Sequence, residues 1–105
     1  MLTEKDYCDY KTCVALEELG CPINSLMRLH LYDAQKWLRE EKNIIVEVFV
    51  DDDSDTPITY NIYKDGECVC HHHGKYWSVK EWSEALSEGV KCAVKILKEN
   101  ETIHE

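Results

Sequence analysis

Lys64-Asp65-Gly66-Glu67 leads directly into Cys68-Val69-Cys70-His71-His72-His73, and Ser78-Val79-Lys80-Glu81 follows a few residues later. This stretch decides the fold. Asp-Gly between two β-patterned runs is a strong hairpin signal, because both residues tolerate positive φ. Ser78 and Glu81 have capping-box spacing, which opens a helix by satisfying its first backbone donors. The chain therefore turns back at Gly66, runs as a strand from Glu67 to about His72, and enters a long helix after Ser78.

The strand before the turn has the same period. Ile58, Tyr60 and Ile62 alternate with Thr59, Asn61 and Tyr63. Further upstream, Ile44, Val46, Val48 and Val50 face one way from Ile44 to Asp51, while Ile45, Glu47, Phe49 and Asp51 face the other. Their β-branched content supports a strand. Asp51 to Asp55 reads as the connecting loop, closed by Thr56-Pro57.

Two helices precede the strands. In the first twenty residues, Tyr10, Cys13, Val14 and Leu16 form an apolar stripe at helical spacing, with Thr3 or Asp9 as N-cap. Gly20 is placed to end that helix and Pro22 prevents its continuation. Residues 22–30 are ambiguous, since Met27, Leu29 and Leu31 alternate with Arg28 and His30. Leu31, Ala34, Leu38 and Glu41 share a face of the second helix, widened by Trp37, and Asn43 suits its αL terminus. The last helix carries Val79, Trp82, Leu86, Gly89, Ala93 and Ile96 on one face, broadened by Val90, Val94 and Leu97, and runs to about Lys98. Gly89 costs roughly 1 kcal/mol inside a helix. A close helix–sheet approach would compensate. The expected architecture is one α+β domain over residues 1–105, in the order α-α-β-β-β-α. Its three-stranded antiparallel meander has the helices on one face. The N-terminal residues and 99–105 are expected to fray.

Composition narrows the function classes. The 105 residues suit one domain, and 44% apolar content supports one core. With 21 acidic against 12 basic residues the formal charge is −9, which disfavours phosphate backbones and anionic membranes. No apolar run approaches the ~20 residues of a membrane span. The first residues lack the apolar core of a signal peptide, so the expected location is cytoplasmic. There the six cysteines are expected to stay reduced, with a disulfide framework as the rival reading.

The chemistry-bearing candidates cluster in the opening stretch. On a regular strand, Cys68, Cys70 and His72 would share a face and offer three ligands suited to zinc, with Cys92, Cys21 or His30 as a fourth. The paired Cys-x₂-Cys spacing is absent, and on a core face the cysteines act as small hydrophobes. A thiol nucleophile would need an oxyanion site and an orienting group, and neither is marked. Asp51 to Asp55 resembles a calcium loop, but Thr56 and Ile62 stand where such a loop needs Gly and Glu. The helix-strand-strand-strand-helix order is also that of double-stranded-RNA-binding domains, yet Glu81, Glu84 and Glu88 surround Lys80 at the final helix. Tyr76, Trp77 and Trp82 read first as core, and otherwise as a protein-binding patch.

Trp37-Leu38-Arg39-Glu40 followed by Asn43-Ile44, and Ala85-Leu86-x-x-Gly89-Val90, resemble small uncharacterised proteins of gut Bacteroidetes and their phages or mobile elements. The resemblance covers most of residues 9–98. It implies an α+β fold and a homodimer, and it implies no activity.

The expected function is a non-enzymatic protein-interaction module without cofactor, self-associating as a homodimer and not binding nucleic acid or membrane. Phe49, Trp82, Leu86, Val90, Val94 and Leu97 are the interface candidates, because one three-stranded sheet cannot easily cover so wide a helical stripe. The resemblance adds an accessory role for a mobile element. The alternatives are a zinc-binding protein using Cys68, Cys70 and His72, and an acidic nucleic-acid mimic that occupies a basic groove of a host protein.

Overall fold

Caps and left-handed residues punctuate the chain where the sequence places them. The computed structural model describes residues 6–23, 29–51, 53–71 and 75–103. The candidate cap Thr3, most of the ambiguous stretch including Met27, and the strand-end residue His72 lie outside them.

Helix α1 spans Tyr10–Glu18. Asp9 is its N-cap, with the Thr12 N–H donating to Asp9 Oδ1 at 2.8 Å. Gly20 adopts φ 105° beyond the last turn. The Cys21 N–H donates to Leu16 O and the Gly20 N–H to Glu17 O, both at 3.0 Å. This is a Schellman termination, and it turns Leu19 and Cys21 into the core. Helix α2 spans Leu31–Lys42 and ends at Asn43 with φ 52°. Its N-cap is His30, whose Nδ1 accepts the Tyr32 N–H at 3.1 Å.

Strands β1 (Ile44–Val50), β2 (Ile58–Lys64) and β3 (Glu67–His71) follow. They form an antiparallel meander in the order β1-β2-β3. Asp65 and Gly66 both take positive φ, 51° and 87°, the geometry whose twist matches a two-residue hairpin. After β3 the chain returns to β2, where Trp77 and Ile58 exchange backbone hydrogen bonds of 2.8 and 2.9 Å. One 3-10 turn, Val79–Glu81, then leads into α3, Trp82–Ile103. Glu81 Oε1 accepts the Ser78 N–H at 2.9 Å and the Ser78 side chain accepts the Glu81 N–H in return, which forms the expected capping box.

All three helices sit on one face of the sheet. Helix α3 lies across β1 and β2, α2 packs on β1 and α3, and α1 packs on α3. Between the layers lie the fully buried Leu16, Leu31, Leu38, Ile44, Ile58, Ile62, Leu86 and Val90. Each such side chain contributes roughly 1.5–3 kcal/mol on burial.

Several expectations need correction. Of the expected α1 stripe, Leu16 is buried and Cys13 packs against the core, but Tyr10 is 81% and Val14 39% exposed. The inward side is Thr12 and Leu16, because the cap at Asp9 and the Schellman turn fix the roll of this short helix. Glu41 of α2 is exposed. Strand β1 is buried at Ile44 and Val46 only, and Val50 at its end is 64% exposed. Helix α3 continues to Ile103, beyond the expected end near Lys98.

The interface candidates on α3 need the same treatment. Leu86, Val90, Val94 and Leu97 are 0–7% exposed within the single chain. The sheet does not cover the wide stripe alone, since α1 and α2 close over the remainder. Phe49 and Trp82 alone remain half-buried at the surface.

Candidate functional site

The cysteine strand departs from simple alternation. Ile62 of β2 pairs with Cys70, but the next residue, Tyr63, pairs with Cys68. Val69 is therefore the extra residue of a β-bulge. Consecutive strand residues point to opposite faces, and directly paired residues point to the same one. Cys70 thus lies with Ile62 on the helix side, and Cys68 lies with Tyr63 on the other. This corrects the expectation that the two thiols share a face. Cys68 is exposed and 47% of Val69 is too, whereas Cys70 packs against the core.

The other metal candidates are dispersed. His72 lies outside the described residues. Cys21 is buried at the end of α1, and His30 caps α2 through Nδ1. Only Cys92, on α3, approaches the strand, with its sulfur 3.8 Å from that of Cys70. Among the described residues no group of three His, Cys, Asp or Glu side chains could hold a metal ion. Burial, and next the neighbouring Cys92, push the Cys70 thiol up to about 11. In the acidic loop, Asp51 Oδ2 accepts the Tyr76 hydroxyl at 3.1 Å. Of the aromatic trio, Trp77 is buried with its ring centroid 6.0 Å from that of Tyr60.

A different surface stands out on the sheet face away from the helices. Register and alternation place Ile45, Glu47 and Phe49 of β1 there, with Thr59, Asn61 and Tyr63 of β2. Ile45 is 42% exposed, while Phe49 and Tyr63 are half-buried. Thr59 and Asn61 at the centre are buried despite being polar. The Thr59 hydroxyl donates to Lys75 O at 3.2 Å, and Asn61 Nδ2 to the Tyr63 hydroxyl at 3.4 Å. Among the described residues Asn61 Oδ1 is buried with no hydrogen-bond partner, a condition that costs about 1–3 kcal/mol. Charge on this face is acidic. Glu47 of β1 stands on it with Asp51 just beyond the strand, and among the described strand residues no Lys or Arg lies on this side, Lys64 pairing with Ile44 on the helix side.

One strand edge is partly closed. Gln35 Nε2 donates to Val46 O at 2.7 Å, so α2 occupies the outer side of β1. Covering an edge in this way limits strand-to-strand association.

In the sequence Thr59, Asn61 and Tyr63 stand out only as the second side of an alternating strand. Only neighbouring strands and the Lys75–Trp77 segment bury their centre. No protein-family model matches this chain, and neither any curated protein nor any solved structure matches it significantly. Among the described residues no helix is long and apolar enough to cross a membrane.

Proposed function

We propose that this protein is a small non-enzymatic interaction module whose helix-free sheet face docks on a cationic protein surface. The observation that carries this reading is the accessible rim of Ile45, Phe49 and Tyr63 beside the exposed Glu47, on the sheet face that no described helix covers. An arginine meets every feature of the face. Its guanidinium stacks on Phe49 or Tyr63 and pairs with Glu47. The net charge of −9 favours such a partner at long range. The same chemistry describes the basic groove of a nucleic-acid-binding protein, so an acidic mimic is one form of this module. The resemblance to proteins of mobile elements supports a host protein as the owner of that groove.

The homodimer expected from α3 keeps only Phe49 and Trp82 as surface contacts, and two copies of an acidic face repel. The second copy is therefore the competing occupant. The test uses an arginine-bearing amphipathic helical peptide and its glutamate-bearing counterpart, with backbone amide NMR shifts as readout. The arginine peptide should shift Ile45, Phe49, Asn61 and Tyr63, and Phe49→Ala should weaken binding at least about fivefold. Equal binding of both peptides, or shifts spread over the whole surface, would reject the proposal. So would a dimer at tens of micromolar that Phe49→Asp dissolves, because it would put a second copy on this face.

A further inference from the structure

The bulge at Val69 has a chemical consequence on the helix side of the sheet. It turns Cys70 towards α3, where the Cys92 thiol lies against it with the sulfurs 3.8 Å apart. Both thiols are half-buried, so small oxidants reach them while bulk solvent does not dominate their surroundings. The two elements are otherwise weakly joined. Helix α3 packs extensively on β1 and β2 and far less on β3. The sulfur pair thus spans the seam where the sheet is held least firmly.

We propose that Cys70 and Cys92 are a redox-active thiol pair, which a peroxide converts to a disulfide joining β3 to α3. The sulfurs must close to about 2.05 Å, which side-chain rotation and a small shift of β3 supply. The electrons and atoms balance in two steps. The Cys92 thiolate attacks one oxygen of hydrogen peroxide, the O–O bond breaks, and the departing hydroxide takes up a proton as water. Cys92 is then a sulfenic acid. Cys70 attacks that sulfur, an S–S bond forms, the S–O bond breaks, and the hydroxyl leaves as a second water with the Cys70 proton. Two thiols are oxidised and one peroxide is reduced to two waters. Burial, and next the neighbouring Cys92, raise the Cys70 thiol to about 11, so Cys70 is not the first to meet the peroxide, and it gives up its proton as it attacks the sulfenic sulfur. Cys68, although exposed and two residues away, lies on the opposite face and is not in line for Cys92.

The physical effect is a latch. A disulfide here closes the loop from Cys70 to Cys92 and pins the outer strand of the sheet to the longest helix. In a reducing compartment such a bond is transient, so the latch responds to oxidant and is reset by thiols. This inference stands on the sulfur pair and is independent of the docking face.

The experiment treats the native chain with hydrogen peroxide, blocks remaining thiols under denaturing conditions, and maps linked peptides by mass spectrometry. Two of the six thiols should disappear per monomer, with Cys70 and Cys92 in one cross-linked peptide. The oxidised protein should melt several degrees higher, and dithiothreitol should restore both readings. Cys68→Ser should leave the result unchanged, whereas Cys92→Ala should abolish the cross-link. Linked peptides that instead join Cys68 or other chains, or oxidation that stops at unlinked sulfinic acids, would overturn the proposal. The mapping on unmutated protein decides the matter even where a cysteine variant fails to fold.

Discussion

A Cβ atom placed on Gly89 would lie 2.5 Å from Cγ1 of Val46, with the Tyr60 ring 3.4 Å away. Helix α3 crosses the sheet so closely at this point that only glycine fits. Val46 is β-branched and 1% exposed, so its methyl has little room to yield. Gly89→Leu should therefore lower stability by roughly 1–3 kcal/mol despite the better helix propensity of leucine. Urea unfolding measures this, and a higher melting temperature for the variant would contradict it.

The Asp9 cap makes stability depend on acid. The Thr12 N–H it accepts holds the Asp9 carboxyl down at about 2, with burial opposing and Lys91 at 3.0 Å assisting. A carboxyl lowered in the folded state stabilises above its ordinary value of 3.8 and loses that contribution as pH falls to about 2. Asp9→Ala should cost about 1 kcal/mol near neutral pH. The gap between variant and parent should close between pH 4 and pH 2. A gap that persists at the acid end would show that the ionised carboxylate is not responsible.

Placing Leu86 in the core predicts where its loss is felt. It is 1% exposed, so Leu86→Ala should destabilise folding by about 2–5 kcal/mol. Sedimentation velocity of the folded variant should match the parent at equal concentration. A change in association with little change in stability would return Leu86 to an interface.

The bulge at Val69 predicts poor metal binding by the strand. With Cys68 and Cys70 on opposite faces, protein purified without added metal should contain far less than stoichiometric zinc. Elemental analysis checks this. Stoichiometric zinc that is lost on Cys70→Ser would mean that the strand rearranges around the ion.

The hairpin predicts a local backbone effect. Gly66 holds φ 87° with nothing near its absent Cβ, so the cost of a side chain there is conformational. Gly66→Val should destabilise by about 1–2 kcal/mol, read as a lower denaturation midpoint, while Gly66→Asn should cost less. Equal effects would argue against the left-handed requirement.

Order and type of the elements, and several of their caps and turns, were legible from local chemistry. Gly20, Asn43, Asp65 and Gly66 take the left-handed conformations their residue types favour. Asp9 caps α1 and Glu81 caps the entry to α3, as their spacing indicates. Each of these signals acts within about four residues, so the chain states it without help from the rest of the fold. The glycine on the apolar side of α3 was likewise readable as a close contact, because little else offsets a helical glycine.

Tertiary structure alone decided how surfaces were shared. The α3 stripe looked too wide for one sheet, and α1 and α2 cover it from positions far away in sequence. Alternation marks Thr59 and Asn61 only as the polar side of β2, and tertiary neighbours bury them. A bulge leaves no mark in residue type, so the step at Val69 that separates Cys68 from Cys70 and brings Cys70 to Cys92 could not be read in advance. Local sequence determines backbone conformation through sterics and caps a few residues apart. Which face of an element is buried depends on partners that only the folded chain brings together.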